Sequence, residues 1–187
     1  QTLWELDEES SVVGLPTGTT TAYLEGAENR SDVTNPDGSV NREQVVGLQP
    51  DLVIAPNIVP NETISQLRNA DLTVYKVGFG KSLDAITTKV ALFGRLTGAC
   101  DRAATVNDEF NSTLAELRAD APETPPRAYY YFYNFTTGSG TFIHEAIETA
   151  GGENVAASAG VTGFKPVNAE IVADRNPQWV IRPDGSP

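Results

Sequence analysis

Several residue types are scarce or missing from this chain of 187 residues. Methionine is absent, and because a natural reading frame starts with methionine, we expect the chain that begins at Gln1 to be processed or trimmed. Cys100 is the only cysteine, which excludes an intrachain disulfide and any metal site built from several cysteines. A run of about 18 or more apolar residues is also missing, so the sequence predicts no membrane-spanning helix.

Basic residues are few, and the chain is therefore strongly acidic. Its 13 Lys and Arg residues stand against 25 Asp and Glu residues, which gives a net charge of -12. Such a surface repels nucleic acid and anionic lipid head groups, so we expect neither as a partner. It also keeps a protein hydrated at high salt, which favours a halophilic origin over that of an ordinary acidic protein.

Two long helices are predicted in the middle of the chain. After Ser82, apolar residues recur every three or four positions, at Leu83, Ile86, Val90, Phe93 and Leu96. This is the period of one helix face, which Ser82 can cap and Gly98 can end. A second apolar series predicts a helix from Asp101, its capping residue, to Ala121. At ~1.5 Å per residue this helix would span roughly 30 Å, enough to connect two lobes.

Short β-rich runs alternate with helical segments on both sides of the long helices. The predicted strands are residues 11–15, 51–55, 73–77, 127–133 and 178–181. Alternating strands and helices favour parallel sheets that helices cover on both faces. The sequence therefore predicts an α/β fold with an N-terminal lobe at 1–98, a backbone helix and linker at 99–126, and a C-terminal lobe at 127–187. With only two predicted strands, we expect the second lobe to be truncated.

Two glycine-containing motifs resemble nucleotide-binding loops without completing them. Residues 80–82 lack the earlier glycine of a phosphate loop, since Tyr75 stands there. Residues 138–141 lack the third glycine of a dinucleotide fingerprint, since Ile143 stands there. The second motif instead favours a tight turn, close approach of backbone to a ligand, and free N–H groups for an acidic group of that ligand. Ser139 is therefore a candidate ligand-binding residue.

Catalytic and metal-binding constellations are not evident. His144 is the only histidine, and no Gly-x-Ser-x-Gly elbow accompanies it. No carboxylates are paired at a recognisable metal spacing. We expect His144 to pack between helix and sheet, although a role as a ligand or base stays open. The sequence predicts neither a catalytic residue nor a bound metal.

Aromatic residues cluster in a more informative way. Five of them fall in or beside predicted loops at strand ends: Tyr23, Phe79, Tyr133, Phe135 and Phe164. Ligands of open α/β sheets bind at the carboxyl ends of strands, and loop aromatics there suit a large flat ligand. The alternative is that each ring fills a local part of the core.

Several segments, in order along nearly the whole chain, resemble the periplasmic binding proteins that deliver cobalamin, haem or siderophores to ABC importers. The segments are residues 46–55, 92–98, 138–143, 150–155 and 177–181. The resemblance implies two α/β lobes joined by a rigid helix, with a shallow cleft between them. It implies a haloarchaeal fragment that lacks both ends, located outside the cell or anchored to the membrane through a missing terminus. It also implies a monomer without a cofactor of its own, whose transported ligand is a corrinoid or iron chelate.

The resemblance also implies roles for individual residues. Tyr23, Phe135 and Phe164 are similar to aromatics that line the ligand cleft, and Asn57 stands in the place of a tryptophan there. Glu62 and Glu170 are similar to two glutamates that dock onto arginines of the importer permease; the alternative is that they are solvated glutamates at helix starts. Two rival functions stay open, an enzyme on a similar fold and a receptor module without transport.

Overall fold

The computed structural model describes residues 1–16, 24–78, 80–167 and 169–183. The chain divides into two compact units. The first comprises Gln1–Phe79 and Phe93–Arg102, and the second comprises Gly80–Leu92 and Ala103–Pro187. The lobe boundaries given above stay a prediction.

The first unit places short helices against parallel pairs of strands. Its elements are α1 (Thr2–Glu5), β1 (Gly14–Leu15), β2 (Ser31–Asp32), α2 (Arg42–Gly47), β3 (Val53–Pro56), α3 (Asn61–Asn69) and β4 (Val74–Val77). β1 pairs with β2 and β3 pairs with β4, both in parallel. The core consists of Val45, Ala55, Ile64, Leu67 and Val74. Apolar residues of α2 and α3 thus cover the β3–β4 pair, which confirms the strands predicted at 51–55 and 73–77.

Both predicted long helices are present, as α4 (Leu83–Thr97) and α5 (Cys100–Ala119). Ser82 caps α4, because its Oγ accepts a hydrogen bond from the Ala85 N–H at 3.2 Å. Gly98, with φ +84°, follows the end of α4 as predicted. The predicted cap of α5 is wrong: the helix begins at Cys100, so Asp101 lies inside its first turn. Within the second unit, the Asn107 side chain donates to the Thr87 carbonyl at 3.0 Å and ties α5 to α4.

The second unit contains more strands than the sequence predicted. Its further elements are β5 (Arg127–Tyr130), β6 (Phe135–Thr137), α6 (Phe142–Thr149), β7 (Glu153–Asn154), α7 (Val155–Ser158), β8 (Phe164–Pro166), α8 (Ala169–Arg175) and β9 (Trp179–Ile181). β7, β5 and β9 form a parallel sheet in that order. β6 and β8 form a separate antiparallel pair. The α/β fold with parallel sheets and flanking helices is confirmed, and the antiparallel pair is an addition to it.

The strand predicted at 127–133 is too long. β5 ends at Tyr130, and the chain reverses at Tyr133 and Asn134 to start β6. The composition of the aromatic run favours a strand throughout, whereas the reversal depends on the pairing of β6 with β8, about 30 residues further along the chain. β6, β7 and β8 have two or three residues each, too few for a periodic signal.

Buried polar groups connect β6 to α6 and α7 in the second unit. The Asn154 side chain donates to the Thr137 carbonyl at 3.0 Å and accepts from two N–H groups at the start of α7. The Thr141 hydroxyl lies 2.9 Å from that of Thr137 and accepts from the His144 N–H, which caps α6. Since Thr137 and Asn154 are almost fully buried, these bonds avoid unpaired polar groups in the core. Across the parts of the chain described, no helix has the length and apolar character that a membrane crossing requires.

Candidate functional site

A strained hairpin turn directly follows β5. Phe132 and Phe135 exchange two backbone hydrogen bonds, of 2.9 and 2.8 Å. Between them, Tyr133 and Asn134 have φ values of +43° and +64°. Two consecutive left-handed residues form a type I′ turn, whose twist matches that of the flanking strands. Asparagine tolerates this backbone region, but tyrosine is rare there, and such strain is concentrated at functional sites.

Two hydrogen bonds tether this turn to the body of the second unit. The Tyr131 hydroxyl donates to the Asn134 side-chain oxygen at 3.0 Å. The Val167 N–H donates to the Asn134 carbonyl at 2.8 Å. Tyr131 and Val167 both pack against the core cluster of Tyr129, Val155 and Ala156. The turn is therefore held in place from both neighbouring segments.

Four aromatic side chains around the turn are exposed, and we call them the aromatic patch: Phe132, Tyr133, Phe135 and Phe164. Their exposed fractions are 38%, 54%, 45% and 52% in that order. The rings of Phe132 and Tyr133 meet edge to face, with centroids 4.6 Å apart. In the β6–β8 register, Phe135 lies opposite Pro166 and Thr137 lies opposite Phe164, so both phenylalanines belong to one face of the pair. Clustered exposed aromatics are typical of a ligand-binding surface.

The structure thus brings together three of the predicted ligand-binding residues, Tyr133, Phe135 and Phe164. Phe132 was missed, because residues 127–133 read as one strand. The signal that could have found it is Asn134, a residue that favours left-handed turns, within a run of aromatics. Tyr23 and Phe79 lie outside the described residues, so their predicted role stays a prediction.

Ser139 lies in the glycine motif after β6, where its polar groups bind the chain itself. Its N–H donates to the Val161 carbonyl at 3.0 Å, and its carbonyl accepts from the Gly163 N–H at 2.9 Å. Its hydroxyl lies 3.2 Å from that of Thr162. A Cβ on Gly138 would stand 1.9 Å from the Val161 carbonyl oxygen, so the glycine permits a close approach to this segment. A ligand contact of Ser139 stays a prediction.

His144 lies in α6 and is partly buried. Its side chain is 17% exposed, and its Nε2 lies 3.5 Å from a carboxylate oxygen of Glu148. The neighbouring Glu145 accepts a hydrogen bond of 2.7 Å from the Leu83 N–H at the start of α4. Within residues 1–16, 24–78, 80–167 and 169–183, no three His, Cys, Asp or Glu side chains are grouped as metal ligands.

In the first unit, Asn57 lies where a ligand-binding loop was predicted. It is exposed and directly follows β3, and its N–H donates to the Val77 carbonyl at the end of β4 at 2.8 Å. The adjacent Ile58 is 73% exposed, which is unusual for a large apolar side chain. Asn57 and Ile58 both follow the carboxyl end of the parallel strand β3, and ligands of open α/β sheets bind at this edge.

The two predicted docking glutamates stand at helix starts, each within its own unit. Glu62 lies in the first turn of α3, is exposed, and accepts a hydrogen bond of 3.2 Å from the Gln66 side chain. Glu170 lies in the first turn of α8 and is exposed. Both positions are also favourable for a carboxylate through the helix dipole. The docking role therefore stays a prediction.

Comparison with known proteins assigns the class. Residues 1–185 match the family described as periplasmic binding protein, and the chain belongs to that family. It is 40% identical, over 97% of its length, to the cobalamin-binding protein of Halobacterium salinarum. It is 27% identical, over 80% of its length, to YvrC of Bacillus subtilis, an uncharacterized ABC transporter substrate-binding lipoprotein. The chain spans 50% of the length of each of these two relatives.

The fold has counterparts among solved structures. The periplasmic heme-binding protein RhuT from Roseiflexus sp. RS-1, solved in its apo form, matches with a TM-score of 0.85. The identity is 25%, and the match covers 99% of this chain and 73% of that one. The chain thus has the fold of a periplasmic binding protein.

Proposed function

We propose that the protein containing this chain captures a metal chelate outside the cell and delivers it to the permease of an ABC importer. A corrinoid is the first candidate, and haem and ferric siderophores are the others. The observation that carries the proposal is the aromatic patch on a strained, tethered turn. The family, and the name of the relative from Halobacterium salinarum, support the corrinoid.

Binding to the patch needs no chemical step. A flat macrocycle can cover exposed rings on a turn that two hydrogen bonds already hold in place, so little conformational entropy is lost. Covering the exposed 45% of a ring of about 200 Å² removes about 90 Å² from water and contributes about 2 kcal/mol per ring. Because binding alone needs no chemical step, we infer a binding protein without catalytic residues and without a resident cofactor.

Importer docking is the second part of the proposal. Glu62 and Glu170 would each pair with an arginine of the permease through charge-assisted hydrogen bonds. Location outside the cell, with or without a lipid anchor, follows from the proposed transport role, and the name of the lipoprotein relative supports it. We propose that the protein acts as a monomer.

The test is a titration of the protein with cobalamin, cobinamide, haem and ferric siderophores, followed by ligand absorbance. We expect one of them to bind, and Phe135→Ala to weaken that binding about thirtyfold, since about 2 kcal/mol is lost. Phe142→Ala, which removes a ring that is 38% exposed outside the patch, is the matched control. Failure of all four ligands to bind, or equal loss in the two variants, would contradict the proposal.

A further inference from the structure

We propose that Asn134 is the positioning residue of the aromatic patch and fixes the rings in the geometry that the ligand meets. The inference rests on the proposed function, since it concerns the same surface. Asn134 is exposed, and it hydrogen-bonds through its side chain to Tyr131 and through its backbone to Val167, two residues that pack against the core cluster. The role assigned to Asn134 is to hold the four rings of the patch in place.

The side-chain bond of Asn134 determines how the turn is anchored. Tyr131 packs against the core cluster, and its hydroxyl donates a hydrogen bond of 3.0 Å to the Asn134 side-chain oxygen. Phe132 and Tyr133 are the two residues between these partners, so the bond closes a short loop around them. Fixing such a loop before the ligand arrives reduces the ordering that binding would otherwise require.

The backbone of Asn134 connects the turn to the strand that carries Phe164. Its carbonyl accepts from the Val167 N–H at 2.8 Å, directly after β8 ends at Pro166. This bond continues the β6–β8 ladder past Phe135. One residue therefore links the Phe132–Tyr133 pair to the Phe135–Phe164 face, and its left-handed backbone explains why asparagine suits the position.

Four variants test the assignment by ligand titration. Asn134→Gly keeps the left-handed backbone and loses the side-chain bond, and Tyr131→Phe loses the same bond from the other side. We expect each single variant to weaken binding about three- to tenfold. Because both variants remove the same hydrogen bond, the double variant should bind with about the same affinity as the single variant that binds more weakly. Asn134→Asp retains the acceptor and tolerates the backbone, so it should bind within about twofold of the original protein.

A matched control separates positioning from loss of stability. Asn176 has φ +42°, lies in the loop before β9, and belongs to the same unit. Asn176→Gly makes the same substitution in the same backbone region outside the patch, so it should leave ligand affinity unchanged. Equal weakening by Asn134→Gly and Asn176→Gly would overturn the assignment, as would additive effects in the double variant.

A second measurement needs no ligand. The reciprocal bonds between Phe132 and Phe135 protect two amides, whose exchange with deuterium reports opening of the turn. Asn134→Gly and Tyr131→Phe should speed this exchange about three- to tenfold without changing it in β5. Unchanged exchange in the turn refutes the positioning role. Unchanged exchange together with loss of binding in Phe135→Ala would leave the proposed function standing and refute only this inference.

Discussion

Gly138 offers the sharpest test of the packing beside the site. An alanine Cβ there would lie 1.9 Å from the Val161 carbonyl oxygen and 2.4 Å from its carbonyl carbon. Real Cβ contacts are essentially never shorter than 3.0 Å, so the two backbone segments must separate by about 1 Å. The obstacle is backbone on both sides, and no side chain can rotate away to relieve it.

The expected loss follows from the bonds that this separation breaks. Gly138 donates to the Gly163 carbonyl at 2.9 Å, and the Ser139 N–H donates to the Val161 carbonyl at 3.0 Å. Losing two such bonds and straining the packing costs about 3–5 kcal/mol. At about 2–4 °C per kcal/mol, the melting temperature of Gly138→Ala should fall by roughly 10 °C.

Two other glycines supply graded controls in thermal unfolding followed by circular dichroism. Gly140 has φ +73° and open space at its Cβ position, so Gly140→Ala should cost only about 1–2 kcal/mol of left-handed strain. Gly47, the last residue of α2, has open space at its Cβ position and an ordinary φ, so Gly47→Ala should be neutral or stabilise by up to about 1 kcal/mol. If the melting temperature of Gly138→Ala is no lower than that of Gly140→Ala, the inferred close approach of Gly138 to Val161 is contradicted.

Three further predictions concern other residues. In a transport assay, Glu62→Lys or Glu170→Lys should abolish uptake by the importer and leave ligand affinity intact, whereas Glu116→Lys, at an exposed position of α5, should leave both uptake and affinity intact; unchanged uptake in the Glu62 and Glu170 variants would contradict the docking role. Asn154→Ala should lower the stability measured in urea by about 2–4 kcal/mol, because it leaves the Thr137 carbonyl and the α7 start unpaired; a loss below ~1 kcal/mol would contradict this. Burial raises the pKa of Tyr130 above its ordinary value of 10.0, so its contribution to stability is complete below that pH and is lost as the pH rises through the folded-state pKa. Tyr130→Phe should therefore flatten the fall of stability in this alkaline range, and an unchanged slope would contradict the shift.

Local patterns in the sequence determined the helices and the main strands. α4 and α5 follow from apolar residues spaced by one helix turn, and Ser82 and Gly98 are the start and stop signals of α4. β3 and β4 follow from short apolar runs between turn residues. These features depend on neighbours within a few positions, so the chain itself contains the information. Aromatic residues at the ends of predicted strands likewise indicated a surface suited to a large flat ligand.

Only the tertiary structure decided how distant segments meet at the site. Phe164 joins Phe135 because β6 pairs with β8. Gly138 lies against Val161 because the segment after β6 bonds to the segment before β8. The reversal at Tyr133 is strained and persists because the Tyr131 and Val167 contacts hold its neighbour Asn134. Apart from the Tyr131 contact, which is local, these contacts join residues between 23 (161−138) and 33 (167−134) positions apart, beyond the reach of local periodicity. The sequence alone thus identified the residue types of the patch, whereas long-range pairing selected which of them share a face.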